Sequence, residues 1–262
     1  MREFIHQGLK LEYEVSGTGI PLLFLHGMGG STKQIHSACQ PSQNIQLIAM
    51  NQQGHGESDV NWEHLDFNRL GDDAVSLLDN LHIEKAYLAG ISMGAAVSLN
   101  AASRYPDRVR GLLLIRNAWT DKPMSEEVRT AYRDLGMSLK NGGPEAFYQT
   151  EGWNIVKECS SYTKQAFLSP FFEPASVKNW QKYLILPGKA PVDSLTGLTM
   201  LNMPVTILAN KNDLCHPYEY GEYLHTHIPG STFVEIPDKD SGKAEHNAMI
   251  NQALHSLLPI SS

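Results

Sequence analysis

The stretch KAYLAGISMGAAVSLNAASRYP, residues 85–106, decides the fold of this chain. It begins with an apolar run typical of a buried strand, passes through Gly90, Ser92 and Gly94, and continues with small residues until Pro106 ends a helical segment. A tight strand-to-helix turn brings two backbones together and leaves no room for Cβ atoms, which accounts for both glycines. Such a turn presents the Ser92 hydroxyl at the carboxyl edge of a sheet, where open α/β folds bind ligands.

The sequence on both sides of this turn alternates short apolar runs with amphipathic segments. Strands are predicted at residues 9–17, 21–27, 45–51, 85–90, 109–117, 204–210 and 231–237. Helices are predicted at 67–81, from 92 to about 105, near 217–227 and near 247–258. The alternation predicts an α/β protein with a mostly parallel, doubly wound central sheet.

Residues from about 120 to 196 interrupt this alternation. They contain no strand-like apolar run and hold several helical stretches separated by Gly and Pro. We therefore expect a core built from residues 1–119 and 197–262, with residues 120–196 inserted as a helical cap.

Composition excludes several classes of function. The net charge of −7 and the scattered basic residues argue against a nucleic-acid surface. There is no apolar stretch of the ~18 residues that a membrane span needs, and the first residues do not resemble a secretion signal. The three cysteines, widely spaced, suggest free thiols in a reducing cytoplasm. We expect a cytoplasmic monomer or homodimer.

A serine hydroxyl becomes a useful nucleophile only with a base and a third group that orients the base. In this architecture the chain order is serine, acid, histidine. His246, after the last predicted strand, is the predicted base, and Asp213, after the strand at 204–210, is the predicted acid. Asp121 is an alternative acid, whereas His216 follows Asp213 too closely to be favoured as the base.

The Gly-rich segment LHGMGG, residues 25–30, follows an early strand and supplies backbone N–H groups. Acyl transfer needs such donors for the developing oxyanion. We expect one donor from the amide of Met28 and another from Met93, the residue after the nucleophile. His26 and His55 flank the site and are expected to order loops. No motif such as H-E-x-x-H indicates a metal, and no cofactor is expected.

Several of these segments together resemble the α/β-hydrolase family: LFLHGMGG, GHGESD at 54–59, LAGISMGA, ILANKNDL and AEHNAMI occur in its order. The resemblance covers roughly residues 9–119 and 197–260. It implies a mostly parallel sheet, a Ser92–His246–Asp213 triad and substrate bound between the core and a helical lid. Two departures stand out. Asn51, Gln52 and Gln53 replace the charged D-x-R of the family, and Glu245 precedes the histidine where glycine is usual.

The expected function is cofactor-independent hydrolysis of a small apolar ester, lactone or thioester through an acyl-enzyme. Candidate substrate-binding residues are Gly27, Trp119, Phe147, Tyr148 and Trp153. Similar family members cleave carbon–carbon bonds, remove N-terminal proline or make peracids, and the sequence does not separate these reactions. A hydrolase-fold ligand sensor with little turnover is the alternative from another class.

Overall fold

Eight strands form one sheet within residues 1–39 and 44–259, the part of the chain that this computed structural model describes. The strands are β1 (Arg2–His6), β2 (Leu9–Ser16), β3 (Ile20–Leu25), β4 (Ile45–Met50), β5 (Ala86–Ile91), β6 (Val109–Ile115), β7 (Val205–Ala209) and β8 (Thr232–Glu235). Their order across the sheet is β1-β2-β4-β3-β5-β6-β7-β8. Among the strands described here, β2 is antiparallel to its neighbours β1 and β4. The six strands β3 through β8 run parallel to one another.

Helices cover both faces of the sheet, as the doubly wound prediction requires. They are α1 (Thr32–Ala38), α2 (Phe67–Asn80), α3 (Met93–Arg104), α4 (Glu126–Asn141), α5 (Gly143–Phe147), α6 (Glu151–Val156), α7 (Ser161–Leu168), α8 (Pro174–Lys178), α9 (Lys182–Ile185), α10 (Thr196–Thr199), α11 (Tyr218–His227) and α12 (Lys239–Leu257). One apolar cluster includes Leu77 of α2 and Leu99 of α3, and a second cluster includes Ile35 of α1 and Leu254 of α12. The predicted fold class is confirmed.

The helix α2 shows how the sequence specifies these elements. Asp66 caps its N-terminus by accepting a hydrogen bond of 2.8 Å from the Arg69 amide. Leu70, Ala74 and Leu77, spaced three or four residues apart, are buried on one face. The helix therefore packs one stripe against the core, as its periodicity predicts.

The regular elements between β6 and β7, from α4 to α10, are all helical in the described chain. Lys182 connects this segment to the sheet: its side chain is fully buried and Nζ donates to the Gly54 carbonyl at 2.9 Å. Burial lowers the pKa of Lys182 to about 7. Asp240 makes a second connection by accepting hydrogen bonds from the amides of Ser161 (2.6 Å) and Tyr162 (2.8 Å).

Two features differ from the sequence prediction. The edge strand β1 has no counterpart in the predicted elements. The last helix begins at Lys239, eight residues before the predicted start near 247, because the Asp238 side chain accepts from the Ser241 amide at 2.8 Å and caps it. Gly242 adopts non-helical angles and kinks this first turn. His246, predicted in a loop, therefore lies inside a helix.

Close backbone packing surrounds the turn between β5 and α3. A Cβ built on Gly94 would lie 2.1 Å from the Leu25 carbonyl oxygen, and one on Gly90 would lie 2.1 Å from the backbone of Gly94. These contacts confirm the steric reason given for both glycines. The neighbouring atoms are main chain at the end of a central strand, so they have little freedom to move away.

We therefore predict that Gly94→Ala lowers the free energy of unfolding by about 1–3 kcal/mol or more, the usual cost of forcing atoms into a packed interior. Urea unfolding of the variant measures this loss. Gly188→Ala is the matched control, because a Cβ there meets no atom within 4 Å. Equal stabilities of the two variants would contradict the packing argument.

Candidate active site

Ser92 lies at the tip of the turn between β5 and α3. Its backbone angles, φ 56° and ψ −112°, fall in a region that non-glycine residues rarely adopt. The surrounding structure holds this conformation: the Ser92 amide donates to the Ile115 carbonyl at 2.9 Å, and the amide of Ala95 donates to the Ser92 carbonyl at 3.0 Å. Strained backbone of this kind clusters at functional sites.

His216 joins the Ser92 hydroxyl to a carboxylate. Nε2 of His216 lies 2.8 Å from Oγ of Ser92, and Nδ1 lies 2.9 Å from Oδ1 of Asp213. With the proton on Nδ1 donated to Asp213, Nε2 is free to accept the serine proton. This is the geometry of a nucleophile, a base and an orienting acid.

The loop after β7 explains how a histidine three residues from an aspartate reaches this position. Oδ1 of Asp213 accepts hydrogen bonds from the backbone amides of Cys215 (3.1 Å) and His216 (3.2 Å), so the chain turns back over the carboxylate. The turn brings the imidazole of His216 beside the same oxygen. The argument that His216 follows Asp213 too closely fails for this reason.

Burial and neighbouring charges set the ionisation of the pair. Burial by itself would raise the pKa of Asp213, but His216 and Arg116 beside it lower that pKa overall, so the carboxylate is ionised. Burial lowers the pKa of His216, against the opposing effect of Asp213, which leaves the imidazole neutral near pH 7. Arg116 forms an ion pair with Asp213, and these two side chains are only 3% and 5% exposed.

His246, the base predicted from the sequence, lies near enough to Asp213 and Arg116 for their charges to affect its pKa, but it has no hydrogen bond with Ser92 or Asp213 among the described contacts. It is fully buried in α12, and its Nδ1 donates to the Pro237 carbonyl at 2.8 Å. Its Nε2 is buried without a hydrogen-bond partner among the described residues. Burial lowers the pKa of His246 to about 4. The structure thus brings Ser92 and Asp213 together as predicted, with His216 between them, and leaves the predicted role of His246 untested.

The Gly-rich loop after β3 lies directly beside the serine. A Cβ built on Gly27 would be 3.4 Å from Cβ of Ser92. The amide of Gly27 donates to Oε1 of Gln34 at 2.7 Å, and the amide of Gly29 donates to Nε2 of His55 at 3.0 Å. Within the described part of the chain, the Met28 amide between them has no hydrogen-bond partner. It is therefore available as a donor, as is expected of an oxyanion hole.

Two neutral histidines shape this loop. The Nε2 of His26 accepts from the Gln52 amide at 3.1 Å, so its protonated Nδ1 donates to the Gly27 carbonyl at 2.8 Å. Burial lowers the pKa of His26 to about 4 and holds that of His55 well below its ordinary value. Both rings order backbone here, in agreement with the sequence interpretation.

Asn51 and Gln53 stand where the α/β-hydrolase pattern that the sequence resembles has charged residues, and both make hydrogen bonds. Oδ1 of Asn51 accepts from the Thr32 amide at 3.0 Å, and Nε2 of Gln53 donates to Asp73 at 2.6 Å.

A small cavity of about 60 Å³, partly open to solvent, lies over Ser92. Its walls include Met28 and Ile91 of the core, and Tyr132, Tyr162 and Thr163 of the helical insertion. Arg116, Asp213 and His216 also line it, so the cavity is partly polar.

The four aromatic residues predicted to bind substrate do not line this cavity. Trp119 packs edge-on against Phe67 at a centroid distance of 5.0 Å, and Trp153 packs against Tyr148 at 4.8 Å and Phe147 at 5.9 Å. These contacts belong to the packing between helices. Of the residues named from the sequence for substrate binding, Gly27 alone reaches the cavity walls in the part of the chain that is described.

Asp121, the alternative acid, lines a separate surface cavity with Phe67 and Lys189. In residues 1–39 and 44–259 no group of three or more histidine, cysteine or acidic side chains is arranged to hold a metal. None of the described helices is long and apolar enough to cross a membrane. Cys39, Cys159 and Cys215 are free thiols.

The strand order, the elbow at Ser92 and the position of the insertion are now sufficient for a comparison with known proteins. Residues 20–144 match the sequence profile described as the alpha/beta hydrolase fold. The chain has the α/β-hydrolase fold. An enol-lactonase from Burkholderia xenovorans LB400 superposes with a TM-score of 0.80 at 17% identity, covering 99% of this chain and 100% of that one.

Two further relatives with this fold cover nearly the whole chain. A thermophilic esterase from Thermogutta terrifontis superposes with a TM-score of 0.73 at 23% identity, over 98% of this chain and 97% of the esterase. The AB hydrolase superfamily protein YisY from Bacillus subtilis (strain 168) is 24% identical over 95% of this chain and 96% of its own length. The α/β-hydrolase fold resemblance inferred from the sequence motifs is confirmed.

Proposed function

We propose that this chain is a serine hydrolase that cleaves a short-chain carboxylic ester or lactone, with Ser92 as nucleophile, His216 as base and Asp213 as orienting acid. One observation carries the proposal: the continuous hydrogen-bonded path from Ser92 Oγ through His216 to Asp213, at 2.8 and 2.9 Å. The path ends at a small cavity lined by residues of both the core and the helical insertion. The names of the compared structures, an esterase and an enol-lactonase, agree with this class.

The reaction follows from the positions of these groups. His216 Nε2 takes the hydroxyl proton as Ser92 Oγ attacks the substrate carbonyl, and Asp213 stabilises the imidazolium that forms. The amides of Met28 and Met93 donate to the resulting oxyanion. His216 then gives the proton to the leaving alcohol, which departs as the acyl-enzyme forms. Water, deprotonated by His216, attacks the acyl-enzyme and releases the acid with Ser92 restored.

The cavity limits the acyl group. The space over Ser92 is small, about 60 Å³, which favours a short acyl group such as acetyl or propionyl. The walls contributed by Tyr132, Tyr162 and Thr163 belong to the insertion, so this segment acts as the cap in the proposal. The substrate is therefore a small molecule with a short acyl chain that is not strongly apolar.

A second assignment of the base has one observation in its favour. Nε2 of His246 is a buried acceptor without a hydrogen-bond partner among residues 1–39 and 44–259, and such a group costs about 1–3 kcal/mol. Its chain position also matches the order serine, acid, histidine. We favour His216 because it contacts both Ser92 and Asp213, whereas His246 has its described hydrogen bond with the Pro237 carbonyl.

We predict that Ser92→Ala abolishes both turnover of p-nitrophenyl acetate and labelling by a fluorophosphonate. The loss of kcat should be at least 10³-fold, and removal of a triad serine costs about 10⁶-fold in a well-studied protease. Mass spectrometry of the labelled wild type should locate the adduct on Ser92.

Ser98→Ala is the matched control, because Ser98 lies in the following helix and its buried hydroxyl has no described partner. It should retain turnover and labelling. Full turnover in Ser92→Ala would refute the proposal, while labelling of the wild type with negligible turnover would indicate the ligand sensor.

We predict that His216→Gln loses turnover at least 10²-fold while His246→Gln loses much less. The neutral imidazole is the active form, and it is lost as pH falls through its pKa. Because burial lowers the pKa of His216 below the ordinary value of about 6.5, the acid limb of kcat/KM should have its midpoint below pH 6.5. Steady-state kinetics from about pH 4 to about pH 8 measure both effects.

A larger loss of turnover in His246→Gln than in His216→Gln would assign the base to His246. An acid limb above pH 6.5 would contradict the burial of the active imidazole. Circular dichroism of both variants checks that the folds are intact.

We predict that kcat/KM falls at least 10-fold from the acetyl to the octanoyl ester of p-nitrophenol, because a long acyl chain does not fit a cavity of about 60 Å³. The same leaving group is kept across the series, so differences report on the acyl side. A constant or rising kcat/KM with chain length would show that the cavity does not set the acyl specificity.

A further inference from the structure

Arg116 occupies the strand end between the nucleophile and the acid. Ile91 pairs with Ile115, and Ile115 pairs with Leu208, so the ends of β5, β6 and β7 stand side by side. Ser92 follows the first strand, Arg116 the second, and the Asp213 loop the third. Arg116 thus lies where the sheet itself places a residue next to both functional groups.

The backbone of Arg116 holds an unfavourable conformation at this position. Its φ is +52°, in the left-handed region that is uncommon for a residue with a long side chain. Its amide donates to the Leu208 carbonyl at 2.8 Å, which extends the pairing of β6 with β7. The conformation directs the guanidinium along the edge of the sheet to the site, where it lines the cavity over Ser92.

The guanidinium completes the hydrogen bonding of the acid. Oδ1 of Asp213 is used by His216 and by two backbone amides, whereas Nη2 of Arg116 pairs with Oδ2. The same nitrogen lies 3.1 Å from Nδ1 of His216. The carboxylate therefore has one oxygen for the imidazole and the other for Arg116, which prevents rotation about its own axis.

One face of the guanidinium is covered by the helical insertion. The Tyr162 ring lies 4.7 Å from the guanidinium carbon of Arg116, within the range of a cation–π contact. Lys239 holds that ring from the core by donating to the Tyr162 hydroxyl at 2.9 Å. Nε of Arg116 is buried and has no hydrogen-bond partner among the described residues, so the stacking supplies a restraint that hydrogen bonds do not.

We propose that Arg116 is a positioning residue of the catalytic site: it fixes the carboxylate of Asp213 for His216, and the Tyr162 ring of the insertion fixes Arg116 in turn. The inference rests on the proposed function. It links the helical insertion to the acid of the triad, because displacement of Tyr162 uncovers the guanidinium that orients Asp213.

The test compares Arg116→Met with Arg110→Met. Arg110 is an exposed residue of β6, the strand that Arg116 directly follows. The readouts are the rate of fluorophosphonate labelling of Ser92 against pH, and kcat and KM for p-nitrophenyl acetate. Arg116→Met should label at least 10-fold more slowly near pH 7 and lose kcat more than it raises KM. Its acid limb should move to higher pH, because the cation that opposes protonation of His216 is gone. Arg110→Met should match the wild type.

Arg116→Lys and Tyr162→Leu make the test independent of whether Arg116→Met folds, which its melting curve shows. Arg116→Lys keeps the charge but lacks the planar group, so the labelling rate should fall while the acid limb moves less. Tyr162→Leu should slow labelling in the same direction. Wild-type rates and an unchanged acid limb in the folded Arg116 variants would overturn the positioning role. Absence of labelling in the wild type would refute the proposed function and, with it, this inference.

Discussion

The contact between the start of α3 and the end of β3 fixes the geometry of the whole site. Gly94 lies so close to the Leu25 carbonyl that even a methyl group would overlap it. Leu25 is the last residue of β3, and the loop with Gly27 and Met28 begins directly after it. The same backbone contact therefore places the nucleophile and the candidate oxyanion donor side by side. The relative position of these two groups is therefore set by main-chain packing.

The acid is placed by a different principle, the distribution of charge in a buried space. Asp213 is an ion in a region that is almost closed to water, and an unpaired buried carboxylate would be strongly unfavourable. Arg116 compensates that charge at one oxygen and leaves the other for His216. A buried pair of this kind adds little stability by comparison with apolar packing. Its consequence is orientation, which matters more at a catalytic site than net stability.

The sequence predicted the features that depend on local pattern or on sterics. Seven of the eight strands described, the elbow at Ser92 and the loop-ordering roles of His26 and His55 follow from apolar runs, glycine spacing and loop position. The strand β1 was missed because its residues, REFIH, are mostly exposed and show no buried run. The four aromatics do not line the cavity over Ser92, and sequence spacing does not tell aromatic packing from substrate contact.

The positions of His216 and His246 could not be predicted from their spacing along the sequence. Sequence distance argued against His216, but the turn over Asp213, closed by two backbone hydrogen bonds, brings residues three apart onto one oxygen. A signal was present, since Asp213 ends the polar run N-K-N-D and Pro217 follows four residues later, a composition typical of a turn. For His246 the charged segment before it was interpreted as a loop, although the cap formed by Asp238 with the Ser241 amide marks a helix start.

In the proposed mechanism, the loop after β7 and the start of α12 have different roles. With acid and base on one short loop after β7, the hydrogen-bonded path to Ser92 needs nothing from α12. The start of α12 is then free for another use: Lys239 and Asp240 hold Tyr162 and the N-terminus of α7. For His246 to serve as base instead, its Nδ1 would have to leave the Pro237 carbonyl in order to be oriented by Asp213. In the proposed mechanism His216 acts as base, and the contacts of Lys239 and Asp240 with the helical insertion do not have to change.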